Sequence, residues 1–229
     1  MIVQIYTAQT AEEAIAMAEL GVDHIGITPS QLGLPGEVGL EHAAEIFAAV
    51  GDRATRVALS VDPDPEEILR MVEIVRPDVL HLCGDIDVVT ADVVRSLRPR
   101  LAGVRIMQAI PMTGPQALAQ AREFAPVCDM LILDSDSAEI GGIGATGFTH
   151  DWSLSRQIVE SVQVPVILAG GLSPDNVADA ISAVGPWGVD SLTHTNLALP
   201  SGGFRKDLDK VREFISASRQ PVTDPAVAR

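Results

Sequence analysis

Strand-like and helix-like segments alternate along this chain eight times, and few folds accept that pattern at this length. Short β-branched and aliphatic runs cover residues 2–6, 24–28, 56–61, 79–83, 104–109, 130–134, 164–169 and 188–192. Helical patterns follow each run: from Thr10, then at 40–50, 63–75, 88–97, 115–124, 154–161, 176–183 and 207–216. Thr10 with Glu13 three residues on has the form of a capping box, which marks where the first helix opens. Parallel strands need a long crossover, and a helix supplies it with right-handed chirality. Eight such units in 229 residues predict an α/β fold, a closed (β/α)8 TIM barrel over residues 1–219. An open, doubly wound sheet is the alternative, but its first turn is rich in glycine, and Thr7-Ala8-Gln9 contains none. The tail, 220–229, has two prolines and no periodicity and is expected to fray.

Composition narrows the partners. The chain is 47% hydrophobic and 21% charged, enough apolar surface for a buried core and too much for a disordered chain. Sixteen Lys and Arg against 31 Asp and Glu give a formal charge of −15, which repels phosphate backbones and anionic lipid. Aromatic residues make up only 3%, too few for a base-stacking surface. No nucleic-acid or membrane partner is therefore expected. The N-terminus enters a strand without a basic leader, and no apolar run reaches the roughly 20 residues of a membrane span. A cytoplasmic address follows as the expectation. Cys83 and Cys128 are too few for a disulfide framework or a four-cysteine zinc site, and no cofactor is expected.

In such barrels chemistry gathers at the C-terminal ends of the strands. That rule selects Tyr6, Asp62, Cys83, Asp134, Gly170, Gly171 and the run Thr193, His194, Thr195, Asn196, and sends Cys128 to the opposite end. Gly170 and Gly171 leave the seventh strand before a helix, where bare backbone N–H groups can cradle a phosphate; the plainer reading is a tight turn. Asp134 closes the apolar run Leu131-Ile132-Leu133, so desolvation would raise its pKa toward general-acid use, against the alternative of a solvated cap. The glycines that follow it, Gly141, Gly142, Gly144 and Gly147, make a candidate lid.

Asp134 with its GGxG loop and Asp151-Trp152, then AGGL at 169–172 with Pro174 and Asn176, resemble the phosphoribosylanthranilate isomerase family. The opening VQIYTAQTAEEAIAMAELGVDHIGI, the HLCGD run at 81–85 and GVDSL through GGFRKDLDKVREFI at 188–215 extend the resemblance over nearly the whole chain. It implies a barrel of the ribulose-phosphate-binding type and an Amadori rearrangement, in which an aminoaldose phosphate opens and becomes an aminoketose. The family's general acid falls on Asp134. Its Cys base falls on Tyr6, and the Arg it uses for the aryl carboxylate has no counterpart in residues 28–39, which hold no Lys or Arg. Phosphate binding would fall to Gly142, Gly144, Gly170, Gly171 and Thr193 to Asn196, with His194 where the family has glycine and Ile143 inside the GGxG loop.

A replacement base is sought at Tyr6 or at the pair His81 and Cys83, two apart on one strand and so on one face. A phenol is a poor base near neutral pH unless a cation lowers its pKa. Cys83 could become a thiolate beside a protonated His81; the alternative is a buried thiol and a core histidine. His81, Cys83, Asp134 and Asp136 could also ligate a metal, without an HxH or HExxH spacing to support it. The expected function is an aldose-to-ketose isomerase, monomer or homodimer, acting on a phosphorylated small molecule. The alternatives are a non-catalytic or a metal-dependent barrel that binds another sugar phosphate.

Overall fold

A computed structural model of the chain describes residues 1–137, 142–143 and 149–220. Eight strands, β1 (Ile2–Ile5), β2 (His24–Ile27), β3 (Thr55–Ser60), β4 (Val79–Leu82), β5 (Arg105–Pro111), β6 (Met130–Asp134), β7 (Val166–Leu168) and β8 (Gly188–Ser191), pair in parallel and close into a barrel. The helices are α1 (Ala11–Glu19), α2 (Leu40–Val50), α3 (Pro65–Val75), α4 (Ala91–Leu97), α5 (Gln116–Phe124), α6 (Trp152–Ser161), α7 (Val177–Val184) and α8 (Leu208–Ser218). The predicted TIM barrel is what forms. Among the described residues, no helix is long and apolar enough to cross a membrane.

Local chemistry sets the helix starts. Thr10 Oγ1 accepts the Glu13 N–H at 3.1 Å, and the Glu13 carboxylate reaches back to the Gln9 N–H at 2.9 Å. Asp64, Asp151 and Asp207 cap α3, α6 and α8 through side-chain oxygens that accept first-turn N–H groups. One helix starts later than its pattern suggested. Val88 and Val89 lie in a turn closed onto the Asp85 carbonyl, and Thr90 caps α4 only from Ala91. Valines continue the apolar pattern across a boundary that hydrogen bonding decides.

The strands divide two cores by their alternation. Outward residues such as Val3, Ile5, Ile25 and Leu80 pack under the helices, as do Ile68, Met71, Val72 and Val75 from one stripe of α3. Inward residues, among them Val57, Val79, Met107, Met130, Ile132 and Ile167, fill the barrel itself. The interior is thus packed rather than open, and its upper layers present the site.

At the N-terminal face one device recurs. Asp23, Asp78 and Asp129 each stand just before an even-numbered strand and accept the N–H of the preceding strand: Val3 at 2.8 Å, Arg56 at 2.9 Å and Ile106 at 2.7 Å. Each also holds an arginine: Arg219 at 3.1 Å, Arg56 at 2.6 Å and Arg98 at 2.6 Å. Cys128 sits buried at this end, its thiol on the Phe124 carbonyl at 3.2 Å and pushed up to about 12 by burial. It lies away from the mouth, where sequence had placed it.

Candidate active site

The register of the barrel sets one polar row inside it. Leu133 pairs with Leu168 and Leu168 with Val189, so the next residues, Asp134, Ala169 and Asp190, stand side by side on β6, the end of β7 and β8. Asp190 pairs in turn with Gln4 of β1, and Gln4 with His24 of β2. Gln4 Nε2 donates to Asp190 Oδ1 at 3.1 Å, while Gln4 Oε1 and His24 Nδ1 are 3.1 Å apart. Burial drives His24 down to about 4, so the ring is neutral. The Gln4 amide is thereby fixed from one side and fixes Asp190 on the other.

Both carboxyls of the row hold protons far above the usual carboxylate range. Burial raises Asp134 to about 7, against the pull of the Ser135 N–H at 2.8 Å and of the Ser135 hydroxyl. Asp190 rises to about 8, first by burial and then through the charge of Asp134, with Gln4 and Lys206 opposing. Near neutral pH each can give or take a proton, the condition for acid–base work.

Tyr6 stands one layer above Gln4 on the same face of β1. Its ring lies flat across Gly26: a Cβ built there would fall 2.3 Å from the ring carbons, so only glycine fits beneath it. Tyr6 Oη and His81 Nδ1 share a hydrogen bond of 2.9 Å. Burial, then Asp190, Cys83 and Asp134, push the phenol well above its ordinary value, and burial takes His81 down to about 3. Both partners are uncharged at neutral pH. The imidazolium that would activate a Cys83 thiolate does not form, and the phenol keeps its proton. Of the candidate bases read from sequence, Tyr6 and His81 thus meet as neutral groups beside Cys83. Cys83 itself is buried among the inward residues at the top of β4.

Lys206 is 1% exposed and comes from the short hairpin Asn196–Ala198 and Phe204–Lys206 that follows β8. Its ammonium shares its three N–H donors among four acceptors, the Tyr6 carbonyl, the Leu192 carbonyl at 3.1 Å, Thr195 Oγ1 at 3.2 Å and Asn196 Oδ1 at 2.6 Å. Burial lowers it to about 7, against Glu13 and Asp190. The run Thr193 to Asn196, expected to cradle phosphate, surrounds this ammonium. The Thr195 and Asn196 side chains hold Lys206, and Thr193 to Thr195 form a 3-10 turn, with His194 at its centre.

Gly170 and Gly171 are both left-handed, with φ of 79° and 64°. Their N–H groups meet no acceptor among the described residues, while Asn176 clasps the turn through the Ser173 N–H at 2.8 Å and the Gly171 carbonyl at 3.0 Å. His150 leans over the turn: a Cβ on Gly170 would lie 2.8 Å from its Nδ1. The ring is anchored by Ser155 Oγ at 2.9 Å and kept neutral by burial, at about 4. Gly142 lies in a two-residue ladder, Asp136–Ser137 against Gly142–Ile143. Gly141, Gly144 and Gly147 lie outside the described residues.

A cavity of about 380 Å³ opens beside the ends of β2 and β3, lined by Thr28, Ser30, Leu59, Asp62, Glu67 and Arg70 among others. Arg70 is its basic side chain, paired with Glu67 at 3.1 Å on an exposed helix face. Among the described residues no group of three His, Cys, Asp or Glu is placed to hold a metal, so the ligand set weighed from sequence is not assembled there.

Known proteins share this barrel. The family model described as N-(5'phosphoribosyl)anthranilate (PRA) isomerase matches residues 3–217. The chain belongs to the phosphoribosylanthranilate isomerase family.

An N-(5'-phosphoribosyl)anthranilate isomerase of Haloferax volcanii is 39% identical over 205 residues, 89% of this chain and 86% of the relative. That of Methanocella arvoryzae is 35% identical over 217 residues, 95% of this chain and 97% of the relative. The solved phosphoribosyl anthranilate isomerase of Thermotoga maritima, 26% identical, superposes with a TM-score of 0.78 over 96% of this chain and 99% of that one. As a family member the protein is an intramolecular aldose–ketose isomerase of the phosphoribosylanthranilate isomerase type.

Sequence reading missed Asp190, Gln4, Lys206 and His150. The signal for Asp190 was available: in Gly188-Val189-Asp190-Ser191-Leu192 a carboxylate alternates with Gly and Leu on the inward face. Attention to strand ends passed over it, because Asp190 lies inside the strand.

Proposed function

We propose that this protein converts phosphoribosylanthranilate, or an aminoaldose phosphate close to it, into the matching 1-amino-1-deoxyketose phosphate. The observation that carries the reading is a carboxyl, Asp134, that stays protonated up to about pH 7 at the barrel mouth, beside a glycine turn whose N–H groups meet no acceptor among the described residues. Gly170 and Gly171 take the phosphate, which needs N–H donors and no side chain. Asp134 gives its proton to the ring oxygen as the C1–O bond breaks, and the nitrogen lone pair forms the C1=N bond. Loss of the C2 proton to a base then yields an enaminol, which becomes the ketone. No redox partner enters. The aryl end goes to the cavity by β2 and β3, where a carboxylate competes with Glu67 for Arg70. A cytoplasmic address suits a doubly charged phosphate substrate that does not cross membranes unaided.

Turnover of freshly generated phosphoribosylanthranilate, followed by the fall in its fluorescence, tests the reading. Asp134→Asn should lower kcat by about 10²–10⁴-fold, the usual worth of a general acid, with the fold intact by circular dichroism. Absence of turnover in the unaltered protein, with a phosphorylated product analogue still bound, would return it to a binding role.

A further inference from the structure

We infer that Asp190 is the base that takes the C2 proton, so that this barrel runs its isomerisation with two carboxyls, Asp134 and Asp190, astride Ala169. The inference rests on the isomerase reading above and names the group that reading leaves open.

Position is the first ground. Asp134, Ala169 and Asp190 occupy three neighbouring strands at one level. With parallel strands about 4.8 Å apart, the two aspartate backbones stand roughly 10 Å from each other across the row. Ala169 between them offers only a methyl group, and Gly170 and Gly171 follow it immediately. A sugar phosphate held by that turn lays its carbon chain over Ala169, with one carboxyl on either side. Two carboxyls flanking a reacting sugar from opposite sides are suited to give a proton at one atom and take one at another.

Orientation is the second. Of the two Asp190 oxygens, Oδ1 is held by Gln4, whose amide is itself set by His24. The carboxyl is therefore fixed through Oδ1 by one neutral donor, and among the described residues Oδ2 is the oxygen left to face substrate. Lys206 is the cation that faces it, and Lys206 is tied to the ends of β1 and β8 by its four acceptors. The other titratable groups around it are Asp134 and Tyr6, which stays a neutral phenol bound to His81. The position where the family resemblance seeks a base holds a neutral phenol, while one layer below and one strand over Asp190 exchanges its proton near pH 8 and serves as the base in its ionised form. The balance is complete: Asp134 loses the proton that the ring oxygen gains, Asp190 gains the one that C2 loses, and solvent restores both.

The test compares Asp190→Asn and Asp190→Glu with the unaltered protein on phosphoribosylanthranilate carrying hydrogen or deuterium at C2. Asp190→Asn keeps an oxygen for Gln4 and the same volume, so the fold should survive, checked by circular dichroism and by binding of a product analogue. Expected are a fall in kcat of about 10²–10⁴-fold, a fully expressed primary isotope effect at C2, loss of the rise of rate with pH, and partial recovery in Asp190→Glu. A structural role for Asp190 would lower rate through stability without changing the isotope effect or the pH profile. Turnover of Asp190→Asn within a few fold of the unaltered protein, with both limbs of the pH profile present, overturns the inference and leaves the isomerase reading standing. An unaltered protein that does not turn the substrate over removes both.

Discussion

At Gly170 conformation demands glycine, and the phosphate proposed for this turn would ask the same. Its φ of 79° is ordinary for glycine and strained for anything with a Cβ, and that Cβ would meet the His150 ring at 2.8 Å. Gly170→Ala should therefore move the turn and the imidazole above it together. We expect KM for a phosphorylated substrate to rise by about 10-fold or more, the change following from loss of a charge-assisted hydrogen bond, and kcat to change less. Equal affinity for inorganic phosphate in the variant and the parent, measured by calorimetry, would count against a phosphate at this turn. The two glycines were legible from sequence because glycine in a strand-to-helix turn has few uses. His150 was not, since nothing in GFTHDW tells which neighbour a histidine will cover. Gly26 was not legible either: its reason is the ring of Tyr6, twenty residues away in sequence and in contact only once β1 and β2 pair.

Among the elements, strands and helices were readable to within two residues, apart from the start of α4 three residues late, because alternation and capping are local. Thr10, Asp64 and Asp207 announce their helices through side-chain oxygens that satisfy orphan N–H groups. The recurring aspartates of the N-terminal face were less visible, since GVD, RPD and VCD share only the acid. Folding explains them. A strand that starts beside its neighbour leaves a first N–H without a ladder partner, and the aspartate from the adjoining loop supplies one. Asp78 serves the Arg56 N–H and its guanidinium together, at 2.9 Å and 2.6 Å, so its removal leaves a half-buried donor and a cation without their acceptor. Asp78→Ala should cost about 1–3 kcal/mol in urea unfolding. Asp92→Ala, which breaks an exposed pair with Arg95 on α4, should cost less than about 1 kcal/mol. Equal losses in the two variants would show that the strand N–H gains nothing from Asp78.

For the molecule as a whole, the site's chemistry works against its stability, and pH exposes the conflict. The formal charge of −15 is cheap to keep where it is solvated, but Asp190 is buried and Asp134 half-buried at the barrel mouth. Their folded values, about 7 and about 8, lie above the roughly 3.9 of an unfolded aspartate. The folded state therefore binds protons more tightly than the unfolded chain. The stability this contributes is complete below about pH 4 and is lost as pH rises through 7 and 8. His24, His81 and His150, lowered to about 4, 3 and 4, have the opposite sign and cost stability as pH falls below 6.5. A single substitution separates the two effects. Asp190→Asn deletes one raised carboxyl and leaves every histidine in place, so the difference in Tm between variant and parent isolates Asp190. At pH 5 the parent carboxyl is protonated and the two proteins should melt within a degree or two. By pH 8.5 the parent must carry a buried charge, a penalty on the order of 2 kcal/mol after allowance for Lys206 and the Gln4 bond, which for this length is about 4–8 °C in Tm. The variant should be the more stable there, with its activity gone. A Tm difference that stays flat from pH 5 to 8.5 would mean that Asp190 ionises as an ordinary surface acid, and a buried proton acceptor would have to be sought elsewhere in the barrel.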